Sequence, residues 1–181
     1  MAHNFKQLTN YIIEIGAAQV GHTEKTYLAH AIGVYRDMQS WGSDEDLCMA
    51  ALFHSIYGTE LFQDFTLPLE RRGEVRELIG ERAEYLAFLN CVMDRATFDA
   101  GLDQNEGPYR LRNRLNDEEI ELSPGEYDDL CRLHLCDWLE QAPRVPDYIN
   151  FVRNPQFRKM AERVGEVGLE AYERVFPLAN A

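Results

Sequence analysis

Two histidines and an aspartate, His30, His54 and Asp137, each fall on the apolar side of a segment with helical periodicity. Two imidazoles and one carboxylate can hold a single divalent ion, Fe(II), Mn(II) or Zn(II), with positions left open for water or substrate. Taken singly, each residue has a plainer reading. A histidine on an apolar helical face is more often a core residue whose bonds are satisfied. Asp137 lies in the stretch Leu133-His-Leu-Cys-Asp-Trp-Leu139, apolar enough to be buried on most sides, so its carboxylate needs a partner. That partner is a metal, an arginine such as Arg71, Arg72 or Arg82, or a tyrosine hydroxyl. Two further histidines are reserve ligands. His134 stands one helical turn before Asp137 on the same face, and His22 two turns before His30. Core packing for His134 and a half-exposed cap for His22 are the alternatives. Tyr57 and Glu60 follow His54 and are candidates for proton donor and general base at the mouth of such a site. With Thr59, they read equally well as a polar turn ending a helix.

The elements that must position these groups follow from period and punctuation. Phe5, Leu8, Tyr11, Ile12 and Ile15 predict a first helix over 5–19. Thr23 to Trp41 predicts a second, with Tyr27, His30, Ala31, Val34 and Met38 on one stripe and Gly42 as its stop. Ser43, followed by three acids, predicts the start of a third, which runs through Leu47, Ala50, Ala51 and His54 toward Gly58. Residues 68–94 read as helical with a break near Gly80, and 99–108 as a loop. The period then changes to two across Tyr109–Leu115 and Glu119–Leu122, predicting a small hairpin. Ser123-Pro124 opens a helix to about Glu140, and a last helix covers roughly 156–175. The arginine row 110, 112 and 114 can clamp an anion; opposed by Glu119 and Glu121, it reads better as cross-strand ion pairs.

Composition limits the partners. The chain has 181 residues, enough for one sizeable core, and reads as a single domain over 1–181. A formal charge of -13 opposes both a nucleic-acid backbone and an anionic membrane surface. No basic-then-apolar leader and no membrane span is visible, so a cytoplasmic location is expected. Cys48, Cys91, Cys131 and Cys136 form no C-x-x-C pair and sit in apolar patterns, which predicts buried, reduced thiols. A small-molecule substrate is expected; the oligomeric state is left open.

The order of these residues resembles the H…HD…D signature of the HD-domain superfamily, helical metalloproteins that are mostly phosphohydrolases with a minority of iron oxygenases. The resemblance covers about Gly21 to Asp137. Ala50-Ala-Leu-Phe-His-Ser55 is similar to the superfamily's A-x-L-x-H-D, with Ser55 where that motif has aspartate. The stretch Leu52-Phe-His-Ser-Ile-Tyr-Gly-Thr-Glu60 resembles an uncharacterised branch that carries the same serine. The resemblance implies an all-α, HD-like helical bundle with a small β-hairpin insertion, acting on a small, anionic substrate through a divalent metal. A neutral hydroxyl is a poor ligand and cannot balance a cation's charge, so one ion is expected rather than two. The competing expectation is a degenerate, non-catalytic fold that binds a ligand or partner.

Overall fold

The structure, a computed structural model, describes residues 5–147 and 152–177. The chain divides into two compact units, Met1–Val92 and Met93–Ala181. Both are mainly helical, and each contains one small antiparallel hairpin.

In the first unit, α1 (Phe5–Glu14) buries Leu8 and Ile12, one turn apart. It stops well short of the expected residue 19 because Gly16 adopts a left-handed φ of 82°. Where a helix start at Thr23 is expected, the chain makes a hairpin, β1 (Gly21–His22) against β2 (Lys25–Thr26). Its two tip residues, Thr23 and Glu24, have φ of 43° and 60°, a conformation that is strained for a β-branched side chain. Helix α2 (Tyr27–Ser40) therefore takes Thr26 as its N-cap, whose hydroxyl accepts from Ala29 N at 3.2 Å. The expected stripe is the buried one: Tyr27, His30, Ala31, Val34 and Met38. Asp44 rather than Ser43 caps α3 (Glu45–Phe53), accepting from Leu47 N at 2.9 Å, while the Ser43 hydroxyl turns to Met38 Sδ. Every residue from Leu47 to Phe53 is buried, so α3 is the unit's central helix, packed on α2 and α5. A 3-10 turn at Leu69–Arg71 leads into α4 (Arg72–Ile79), and Gly80, at φ 91°, separates it from α5 (Glu81–Val92).

In the second unit, Asp94 caps α6 (Arg95–Gly101), which occupies the start of the expected loop. The predicted hairpin forms as β3 (Tyr109–Arg112) and β4 (Glu119–Leu122), with Tyr109 opposite Leu122 and Arg112 opposite Glu119. Helix α7 (Pro124–Gln141) begins with a full capping box between Ser123 and Glu126 and a proline in its first turn. The expected last helix is two, α8 (Asn154–Val164) and α9 (Glu166–Val175), because Gly165 lies at φ 92°. Phe157, Met160, Ala161 and Tyr172 turn inward against α7.

Candidate metal centre

His30 reaches the core because it lies on the buried stripe of α2, and His54 because it caps the C-terminal end of the buried helix α3. Their Nε2 atoms face each other at 3.2 Å, with the rings edge to face. His54 Nδ1 lies 2.7 Å from the Ala51 carbonyl. A carbonyl can only accept, so Nδ1 is the donor to it and Nε2 is the ring nitrogen directed at His30. Two nitrogens bound to one ion at about 2.0–2.1 Å stand about 2.9 Å apart at a right angle and about 3.4 Å apart at the tetrahedral angle. The observed 3.2 Å falls between those limits. His30 and His54 in the first unit, and Asp137 in the second, are each buried. Asp137 Oδ1 also accepts from Gln141 Nε2 at 3.0 Å, one turn further along α7.

The reserve ligands are placed differently. His22, on β1 and half-buried, lies flat on His30 with ring centroids 4.2 Å apart and meets Phe62 at 4.5 Å. His134 is buried edge-on against Phe98 and near Trp138. The arginines considered for Asp137 have carboxylate partners of their own: Arg71 with Glu74, Arg72 with Glu84, and Arg82 with Asp44 and Asp46.

The turn 54–57 after α3 is held mainly by α5. Tyr57 is buried and donates its hydroxyl to Glu84 Oε1 at 2.9 Å; burial, then the Glu84 charge, pushes its pKa well above the ordinary tyrosine range. Glu84 is fully buried and also receives Arg72 in a two-pronged pair, Nε to Oε1 at 2.6 Å and Nη2 to Oε2 at 2.9 Å, while the Arg72 guanidinium lies over the Phe88 ring. The His54 carbonyl accepts from Asn90 Nδ2 and Cys91 Sγ. Ser55 Oγ is buried and has no hydrogen-bond partner among the described residues. Beyond the turn, Gly58 takes φ 73°, and a Cβ there would stand 2.4 Å from the Thr66 methyl. The segment that follows closes on itself through Thr59 N to Phe62 O and Leu67 N to Ile56 O, leaving Glu60 and Leu61 exposed at its tip.

Sequence reasoning missed Glu84, Asn90 and Cys91. The available signal was Asn90 itself, an amide inside the otherwise apolar run Leu86–Val92, which has to find a partner when buried. Elsewhere the cysteines are as expected, all four buried and in no disulfide, with burial raising the Cys48 pKa to about 11. Arg110 pairs across the hairpin with Glu119, while Arg112 turns to Asp94. No helix among the described residues is long and apolar enough to cross a membrane.

Residues 11–95 match the model of a family described as a domain of unknown function, DUF6817. No curated protein and no solved structure matches the chain. The matched stretch contains His22, His30, His54, Ser55, Glu84 and Asn90, and ends before Asp137 and His134.

Proposed function

We propose that this protein is a mononuclear metalloenzyme of HD-like descent in which His30, His54 and Asp137 hold one Fe(II), Mn(II) or Zn(II) ion and promote hydrolysis of a small phosphoester. The observation that carries the reading is the pair of buried imidazoles of the first unit, facing Nε2 to Nε2 at 3.2 Å with His54 Nδ1 turned to the Ala51 carbonyl; the buried Asp137 carboxylate is the third ligand this reading assigns. A bound divalent ion supplies Lewis-acid polarisation and a water acidic enough to be a nucleophile near neutral pH. The chain's own contribution is to desolvate and orient the ligands. Glu60, the expected general base, is exposed at the tip of the segment after Gly58, and Tyr57, the expected proton donor, gives its hydroxyl proton to Glu84, so the reading rests on the metal ligands. Two histidines and one carboxylate are also the ligand set of iron oxygenases, so Fe(II) with consumption of dioxygen is the variant on the same residues.

Ser55 favours a second reading. Its buried, unpartnered hydroxyl cannot replace an anionic ligand, which supports a pocket that has lost catalysis and binds without chemistry.

Metal content separates the two. Protein purified without added metal or chelator is expected to carry close to one equivalent of a transition metal by elemental analysis. Its melting temperature is expected to fall in EDTA, because an ion present at a hundred times its Kd stabilises the folded state by about 2.7 kcal/mol. Asp137→Ala should melt identically with and without EDTA. A parent protein that carries no metal, and whose melting curve is unmoved by Fe(II), Mn(II), Zn(II) or EDTA, overturns the enzyme reading and leaves the binding fold.

A further inference from the structure

His54 is a ligand whose position is set from outside its own helix. It is the C-cap of α3, where carbonyls lack intrahelical donors. Its carbonyl instead receives two side chains from adjacent positions of α5, Asn90 Nδ2 at 2.8 Å and Cys91 Sγ at 3.3 Å. At the other end of the residue the ring Nδ1 donates to Ala51 O. Gripped at backbone and ring, the imidazole has little freedom left, and Nε2 points at His30 Nε2. Asn90 is 2% exposed in a run of apolar neighbours, where an aliphatic side chain would pack without the demand for a hydrogen bond.

We propose that Asn90 is a positioning residue for the metal centre: by fixing the His54 carbonyl it fixes the direction of Nε2 and so sets the affinity for the ion, with the Cys91 thiol acting the same way more weakly. The inference rests on the metal reading above. Groups that orient a ligating histidine typically change metal affinity about 10–100-fold when removed, and a thiol is the poorer donor of the two. A merely structural cap would lower stability and leave affinity alone.

Co(II) is the probe, because its visible absorption reports ligand geometry as well as occupancy. Asn90→Leu is expected to weaken Co(II) binding about tenfold or more and to alter the visible band while the far-ultraviolet circular dichroism stays native. Cys91→Ala should produce a smaller change in the same direction, and it decides the matter if Asn90→Leu does not fold. Glu84→Gln, which disturbs the same turn through Tyr57 without touching His54, should lose stability and keep its Co(II) affinity. Affinity and spectrum equal to the parent in the folded variants overturn the positioning role and leave the metal site standing. Equal losses in Glu84→Gln and Asn90→Leu overturn it as well, since any loosening of the turn would then suffice. A parent that takes up no Co(II), Mn(II), Fe(II) or Zn(II) overturns the positioning role together with the proposed function.

Discussion

The turn at 54–57 and the hairpin at 109–122 are both dense in polar side chains, and they hold them on opposite terms. Around the turn, His54, Ser55, Tyr57, Glu84 and Asn90 are all buried, and Glu84 is met by Arg72 and by the Tyr57 hydroxyl. In the hairpin, Arg110 and Glu119 pair with both side chains 61% exposed. Water can replace the partner of an exposed charge at small cost, whereas a buried one has only the protein. The difference teaches where chemistry can be supported. An arginine row on a strand can be ordinary surface pairing, while buried polar groups that converge on one turn need a reason to be there.

The widest separation between the two regions is expected from Glu84→Ala. It strands Arg72 and the Tyr57 hydroxyl and should cost about 3 kcal/mol in urea unfolding, at the lower edge for breaking a buried pair, since Arg72 keeps 23% side-chain exposure. A loss below about 1 kcal/mol would put Glu84 on the same footing as the hairpin pairs.

An intermediate case sits where the hairpin meets α6. Asp94 takes a hydrogen bond from Arg112 Nη2 at 2.9 Å and caps α6 through Thr97 N. These contacts, Arg112 first, hold its carboxyl below the ordinary aspartate value. With the folded pKa lower than the unfolded value of about 3.9, the stabilisation is fully present above that value and fades as pH falls through the folded one. Asp94→Asn, which keeps a capping oxygen, should therefore lose at most about 1 kcal/mol near neutral pH, because Arg112 is half exposed. The gap between the two melting temperatures should begin to narrow below about pH 4 and close only once the pH is below the folded pKa. A gap that persists unchanged in acid would show that the cap, not the charge, carries the effect.

The smallest change is expected from Arg110→Ala, within about 0.5 kcal/mol of the parent and smaller still at high salt. A larger loss would mean that the hairpin depends on its surface charges, and the comparison would fail from the other side.

How much of this was legible depended on distance along the chain. The stripe of α2, the stops at Gly42 and Gly80 and the period-two hairpin are local signals, and each is where it was expected. The inward placement of His30 and His54 followed from the same local periodicity. The β1–β2 hairpin was invisible because its strands are two residues long and its tip, Thr23-Glu24, lacks the glycine or asparagine that such a turn favours. The Arg72–Glu84 pair spans the break at Gly80, so no helical spacing could match the partners. Helix ends also strayed. Gly16 and Gly165 interrupt helices that apolar periodicity alone carries through.

The segment after Gly58 bears on how related chains can differ in length. A side chain at 58 would strike Thr66, and the bond from Leu67 N to Ile56 O closes the base of the excursion. Residues added or removed there would reach the turn that carries His54. At the tip, Glu60 and Leu61 are exposed, with Leu61 at 66%, and extra residues would extend into solvent. Insertions and deletions should therefore gather at 60–61 and spare 56–59, so that the stretch of chain most open to divergence lies within a few residues of the one least able to change.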